Sequence, residues 1–240
     1  MSTERTTGPA GGPVAIVTGA AGGMGSAIAR RLATGGMTVV GLDRAAAQDC
    51  HRSEVLDVAD QRAVRSAIDG IIAEFGPIDA LVSTAGHYRS VPFTDVSDED
   101  LRTMLRVHLG GFFAASQAVL PGMLARGQGS IVAIASELAV GGGARDSHYA
   151  AAKGAVLGAV RSLAAEVADA GVRVNAVAPG PTNTPMLAQD SPWREPGYLR
   201  TLPTRALAEP EEVALCVDFL VRSGGFMTGE VLNPNSGAVI

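Results

Sequence analysis

A short apolar run, a glycine-rich turn and a helical pattern follow one another between residues 14 and 33, and this succession limits the fold more than any other stretch. Val14, Ala15, Ile16 and Val17 are apolar without alternation, the pattern of a strand buried on both faces of a parallel sheet. Thr18, Gly19, Ala20, Ala21, Gly22, Gly23, Met24 and Gly25 come next, and a helical pattern runs over residues 27–33. A strand that feeds a helix through glycines leaves free backbone N–H groups and the positive end of the helix dipole at the turn, which makes an anion site. Glycines there let a pyrophosphate reach the backbone and let the helix pack close to the strand. Without these flanks a glycine cluster would be weak evidence, since many are plain loops.

The rest of the chain repeats the strand and helix alternation. Strands are expected at 37–42, 54–58, 78–83, 130–135, 172–178 and 229–232, and helices at 60–75, 98–107, 109–126, 147–167 and 211–221. With residues 14–17 this gives a doubly wound α/β Rossmann-type domain, a parallel sheet of about seven strands with helices on both faces. Residues 13–240 are expected to form this one domain, and residues 1–12, rich in Thr, Gly and Pro, a disordered tail. The connection 45–53 is too short and too broken for a full crossover helix. Residues 181–210 show no period, and a loop of that length in a compact domain is usually functional. Asp43 closes the second strand about 20 residues past the glycines, placed to accept hydrogen bonds from an adenosine ribose and to repel a 2′-phosphate. NAD is therefore expected, with Arg44 the feature that keeps NADP open. Asp57 ends the third strand, where it either meets the adenine or caps the next helix.

Composition excludes several classes. A net charge of -5 without any Lys/Arg cluster argues against a nucleic-acid partner or an anionic membrane surface. Cys50 and Cys216 stand alone, outside any CxxC spacing, which fits a reducing compartment and no metal site. No segment approaches 18 uninterrupted apolar residues and no apolar run follows a basic start, so cytoplasm is the expected location. The 47% hydrophobic content with only 4% aromatics and 30 glycines suits close-packed helices on a buried sheet.

Tyr149 and Lys153 are four apart in the helix expected at 147–167, so they share a face. A phenol titrates near ~10 and needs a shift of about two to three units to move a proton at neutral pH. An ammonium ~6 Å away at an effective dielectric of about 20 supplies roughly 2.8 kcal/mol, about two units. Burial pushes the other way, so one cation is barely enough and a second, such as an oxidised nicotinamide, decides the matter. On this helix alone the pair is also compatible with a half-buried aromatic beside a solvated lysine.

Taken together, Thr18-Gly19 with Gly23 and Gly25, then Ser136, then Tyr149 with Lys153 resemble the short-chain dehydrogenase/reductase family over nearly the whole chain from Val14. Ala85-Gly86, Pro179-Gly180, the stretch Thr184-Pro185-Met186 and Thr228-Gly229 add to the resemblance. It implies hydride transfer between NAD(H) and a secondary alcohol or ketone, as in 3-oxoacyl reductases and alcohol dehydrogenases. Tyr149 would be the general acid/base, Lys153 would lower its pKa and hold the nicotinamide ribose, and Ser136 would hydrogen-bond the substrate oxygen. Thr184 would contact the carboxamide. Met24, Val58, Ala85, Gly86, Pro179, Gly180 and Thr182 complete the implied cofactor site. Family resemblance also places helices like those at 109–126 and 150–167 at the centre of a homotetramer.

Two positions depart from the family pattern. Thr84 stands where the second Asn of Asn-Asn-Ala-Gly is common, and His108 where an Asn usually holds a proton-relay water. An imidazole can also hold a water, or His108 is simply a packed histidine. The substrate is set, by the same resemblance, by residues 137–148 and the loop around Trp193. Glu137 beside Ser136 would keep an anion off its side, while Arg89 or Arg145 is either a solvated loop charge or a grip for an anionic substrate. Two further functions compete with the first: a dihydrodiol dehydrogenase of the dihydroxybenzoate-forming type, which the short connection after Asp43 and Thr182-Asn183-Thr184 resemble, and a dinucleotide-sensing protein without turnover.

Overall fold

β1 (Val14–Thr18) is buried at all five residues and pairs in parallel with β2 (Thr38–Asp43) on one side and β4 (Ile78–Ser83) on the other. The computed structural model describes residues 12–239, so the expected tail lies outside the described residues except for Gly12. Adding β3 (Arg52–Val55), β5 (Gly129–Ile134), β6 (Val172–Val177) and β7 (Val231–Leu232) gives a seven-stranded sheet in the order β3-β2-β1-β4-β5-β6-β7. Every pairing is parallel. The strand order reverses between β1 and β4, and ligands of such sheets bind at the carboxyl ends beside that reversal. Thr18, Leu42 and Ser83 sit level there.

Successive β1 side chains point to opposite faces, so each face builds its own core. Val14 and Ile16 join the core that includes Ile68 of α2 (Gln61–Phe75), Phe112 of α4 (Gly111–Arg126) and Val160 of α6 (Ser147–Val167). Ala15 and Val17 join the core holding Ile28 of α1 (Gly23–Thr34) and Val217 of α8 (Pro210–Asp218). On that second face Asp218, almost buried, takes both Arg31 at 3.1 Å and Arg222 at 2.6 Å, tying the end of α1 to the end of α8.

The structure moves several boundaries. β3 starts and ends before the expected 54–58, because an edge strand pairs only while it lies beside β2; Leu56 N–H still reaches Asp43 O at 2.8 Å, and the chain then turns away. Asp60, not Asp57, caps α2, accepting the N–H groups of Arg62 and Ala63 at 3.0 Å. Asp57 stands too far ahead of the first turn and accepts from Ala59 N–H at 2.9 Å instead. No helix forms between β2 and β3.

The two helices expected at 98–107 and 109–126 are one. α3 (Asp98–Leu105), opened by a Ser97/Asp100 capping box, runs through a π-helical turn, Arg106–Gly110, directly into α4. The joined helix, Asp98–Arg126, is long and apolar enough to cross a membrane by length and composition. Met104, Phe112, Ala115, Val119 and Met123 are buried inside the protein, which is how a core helix of a sheet protein passes the same test. β7 is shorter than expected, the loop after β6 contains a 3₁₀ turn, Pro192–Arg194, and the single-turn α7 (Pro196–Leu199), and α5 precedes α6 as a single turn (Leu138–Gly141).

Candidate active site

The glycine turn has the shape that its sequence anticipates. Gly19 has φ +70, and a Cβ there would lie 2.7 Å from the Ala85 backbone; a Cβ on Gly25 would lie 2.0 Å from Gly19 O. α1 therefore starts hard against the end of β1. Its N-cap is Gly22, with no side-chain cap and no acid in the first turn, so the N-terminal N–H groups are left for a ligand. Thr18 is buried; its Oγ1 accepts from Thr84 and Ala85 N–H at 3.1 and 3.2 Å, joining the ends of β1 and β4 rather than facing the groove.

A groove of about 770 Å³ runs over this edge, lined by Gly19, Gly23, Met24, Gly25, Asp43, Arg44, Asp57, Val58, Ala85, Gly86 and Thr184. Asp43 accepts from Ala21 N–H at 3.0 Å and Ala45 N–H at 3.2 Å, so its carboxylate is fixed at the rim. An uncapped helix start, a turn whose glycines pack too closely to admit a Cβ at Gly19 or Gly25, and a fixed acid on one groove fit a dinucleotide. Pro179, Gly180 and Thr182 lie instead around a second, smaller pocket, with Met24 and Thr184 bordering both spaces.

That second pocket, about 70 Å³, brings Ser136 from the end of β5 together with Tyr149 from the first turn of α6. Lys153, one turn on, is buried; its Nζ donates to Ile134 O at 2.7 Å and sits 5.8 Å from the Tyr149 ring centre. Burial lowers the Lys153 pKa to about 7. Burial also raises the Tyr149 hydroxyl above its ordinary value, Ser136 pulling it down and Glu137, Tyr88 and Asp146 pushing it up. In the protein without cofactor desolvation outweighs the other influences on Tyr149, the direction in which burial was expected to push it before a second cation is bound.

His108 projects from the π turn into the same region, 5.6 Å from Tyr149 ring to ring and edge-on. Its Nε2 meets His87 O at 3.0 Å, while Nδ1 is buried with no hydrogen-bond partner. A buried ring nitrogen without a partner suits a bound water, the task an Asn has at this position elsewhere. Burial, with Lys153 adding to it, pushes the His108 pKa well down, so the ring is neutral. Thr84 Oγ1 is likewise buried without a partner.

Sequence reasoning missed Tyr88 and Asp146. Tyr88 donates its hydroxyl to Asp146 at 2.7 Å, packs edge-on against Tyr149 and leans on Trp193 at 5.3 Å, forming one wall of the pocket. The aromatic just past Ala85-Gly86 was the available signal. Opposite lies Glu137, 6% exposed, whose carboxylate accepts from Ser136 Oγ at 3.2 Å. Arg194 holds the loop that carries Trp193: its guanidinium donates to Leu187 O, Ala188 O and Asn183 Oδ1. Arg145 is placed elsewhere. It has φ +69, its carbonyl accepts from Val91 N–H at 2.8 Å, and its side chain is exposed and outside the pocket lining. Arg89 is exposed and paired with Asp100. Neither reaches the pocket, so the arginine side expected for an anionic substrate is not there.

Residues 13–195 match the family model for short chain dehydrogenase. The chain belongs to the short-chain dehydrogenase family. It is 36% identical to the 3-oxoacyl-[acyl-carrier-protein] reductase FabG of Vibrio cholerae over 94% of this chain and 97% of that one. Identity to the short-chain reductase NovJ of Streptomyces niveus is 38%, over 93% of each. Among solved structures, ligand-free aldohexose dehydrogenase of Thermoplasma acidophilum superposes with a TM-score of 0.88 at 31% identity, covering 94% of this chain and 93% of the other. As a short-chain dehydrogenase this protein is an oxidoreductase that works with a nicotinamide cofactor.

Proposed function

We propose that this short-chain dehydrogenase interconverts a secondary alcohol and a ketone with NAD(H), residues 13–240 acting as one catalytic unit. The observation that carries the reading is the meeting of Ser136 and Tyr149 in one pocket with Lys153 buried behind them. The nicotinamide, when bound, supplies the carbon that gives or takes hydride and, oxidised, a positive charge. Tyr149 passes the proton to or from the substrate oxygen, and Ser136 orients that oxygen. Lys153 holds its place through Ile134 O and gains a charge-stabilising partner when the phenol ionises. His108 holds the water that refills the proton. NAD over NADP rests on Asp43, fixed at the groove rim, against an exposed Arg44.

The names of the relatives supply two substrate directions, a 3-oxoacyl thioester and an aldohexose. A homotetramer is the expected assembly: Phe113 on α4 is 45% exposed, and nothing lies within 4 Å of a Cβ placed on Gly154 or Gly158 of α6, leaving room for a second copy. Two free cysteines fit a cytoplasmic location. The deciding experiment measures turnover with each of the four nicotinamide cofactors on a panel of ketones, secondary alcohols and a 3-oxoacyl thioester. Tyr149-dependent turnover with NAD(H) supports the reading. Cofactor binding without turnover on any of them would return the protein to the sensing role.

A further inference from the structure

The pocket that holds Ser136 and Tyr149 carries one buried carboxyl, Glu137, and no Lys, Arg or His among its lining residues. Among the described residues Glu137 has no ion pair. Its side-chain hydrogen-bond partner is the wrong one for catalysis. Ser136 Oγ, at 3.2 Å, has a single proton, and Glu137 in its ionised form can only accept; in that form the proton is turned to Glu137 and away from the place where a substrate oxygen would need it. A carboxyl so enclosed, beside the reacting centre and without a cation, is unfinished until a donor reaches it.

Resting on the alcohol and ketone reading above, we propose that Glu137 is a specificity-determining residue that accepts a hydrogen bond from a hydroxyl on the carbon next to the reacting one, so that the substrate is a vicinal diol or the matching α-hydroxy ketone. The spacing supports this. Two hydroxyls on adjacent carbons lie about a hydrogen-bond length apart, which is also the separation of Ser136 Oγ from the Glu137 carboxylate. One hydroxyl meets Ser136 and Tyr149, and its neighbour donates to Glu137. That donation releases the Ser136 proton for the reacting oxygen, so recognition of the second hydroxyl and activation of the first are one rearrangement. The wall of Tyr88 and Trp193 covers the carbon skeleton, and Tyr88, its hydroxyl already committed to Asp146, offers its ring. In the oxidising direction the reacting carbinol would lose its C–H as hydride to the nicotinamide and its O–H proton to the ionised oxygen of Tyr149, the form that the cofactor's positive charge favours, and the second hydroxyl would be unchanged. An anionic group in this pocket would face ionised Glu137 with no cation in the lining to offset either charge.

The test compares the vicinal cyclohexanediol with cyclohexanol, one hydroxyl apart. The wild type should favour the diol by about tenfold to a hundredfold in kcat/KM, the range of one charge-assisted hydrogen bond. Glu137→Gln, close in shape, should shrink the ratio severalfold, and Glu137→Leu should bring it near one. A second readout does not need turnover: in Tyr149→Phe, saturated with NAD, calorimetry should find the diol bound more tightly than cyclohexanol, with the difference lost when Glu137→Gln is added. Equal Tyr149-dependent kcat/KM for both alcohols in the wild type would overturn this inference and leave the oxidoreductase reading standing. No turnover of either alcohol with any nicotinamide cofactor would count against that reading for these substrates, and the calorimetric pair then decides on Glu137 alone: tighter binding of the diol upholds its role, equal or absent binding ends it.

Discussion

The imidazole of His108 occupies the space that a side chain at position 86 would need: a Cβ on Gly86 would lie 2.4 Å from its Cε1 and 2.8 Å from its Nδ1. The glycine of Ala85-Gly86 and the histidine that replaces the usual Asn are thus fitted to each other. Gly86→Ala should destabilise the protein by about 1–3 kcal/mol through overpacking and slow the reaction by displacing the ring. In a His108→Asn background, where the side chain is shorter, the same change should cost much less. Thermal unfolding of the two single variants and the double variant checks the coupling; additive effects would show that the two positions are independent.

Tyr149→Phe should lose roughly 10²–10⁴ in kcat or more, while titration of protein fluorescence with NAD gives nearly wild-type binding. The phenol ring, packed between Tyr88 and His108, is retained in this variant, so loss of folding does not confuse the result. An unchanged kcat rules Tyr149 out as the proton carrier.

Asp43 has two expected effects that can be separated. Asp43→Ser should move the preference from NAD toward NADP by about 2–3 kcal/mol, if two charge-assisted bonds to the ribose are lost and the repulsion of a 2′-phosphate goes with them. It also removes the acceptor for Ala21 N–H, so the glycine turn should exchange its amide protons faster even without cofactor. Stronger binding of NADPH than NADH by the wild type would assign control to Arg44.

Glu137 gives the fold a pH signature. Desolvation raises its carboxyl from 4.5 to about 7; hydrogen bonds from its own backbone and from Ser136 lower it, and Asp146 raises it. Tyr149 and Tyr198 face the same carboxyl. The folded pKa lies above the unfolded one, so the folded form holds the extra proton between about 4.5 and 7. The stability that this proton confers is complete below about 4.5 and is lost as pH rises through about 7. Wild-type stability should fall across that window by at most about 3 kcal/mol relative to Glu137→Gln, whose amide does not titrate. Denaturant unfolding of both proteins from pH 4.5 to 8 measures it, and parallel curves would show that Glu137 stays ionised throughout.

Much of this architecture was legible because local chemistry and tertiary role agree. The apolar run 14–17 can only be a central strand, the glycines can only be a close turn, and a four-residue spacing on a helix brings Tyr149 and Lys153 to one face whatever surrounds them. Position along the chain did not reveal which way Arg145 points, since that follows from a left-handed backbone and a bond to Val91. Nor did it reveal the pairing of Tyr88 with Asp146, 58 residues apart. The depth at which Lys153 lies was hidden for a related reason. Its face of the helix was plain, but its burial comes with the bond to Ile134 O at the end of β5, which no spacing within the helix announces.

The π turn at Arg106–Gly110 makes one rod serve two surfaces. Closing i to i+5 instead of i to i+4 spends one residue more than the α-helix needs, and each residue is worth about 100° of rotation. α3 is therefore out of phase with α4 by roughly that angle: Thr103, Arg106 and Val107 border the cofactor groove, whereas a turn later Phe112, Ala115 and Val119 lie against the sheet. Removing one residue from this turn would restore an unbroken α-helix and swing His108 off Tyr149 without touching either side chain. The address of His108 is thus written as a count of backbone units, and a deletion there would act like a frameshift in three dimensions.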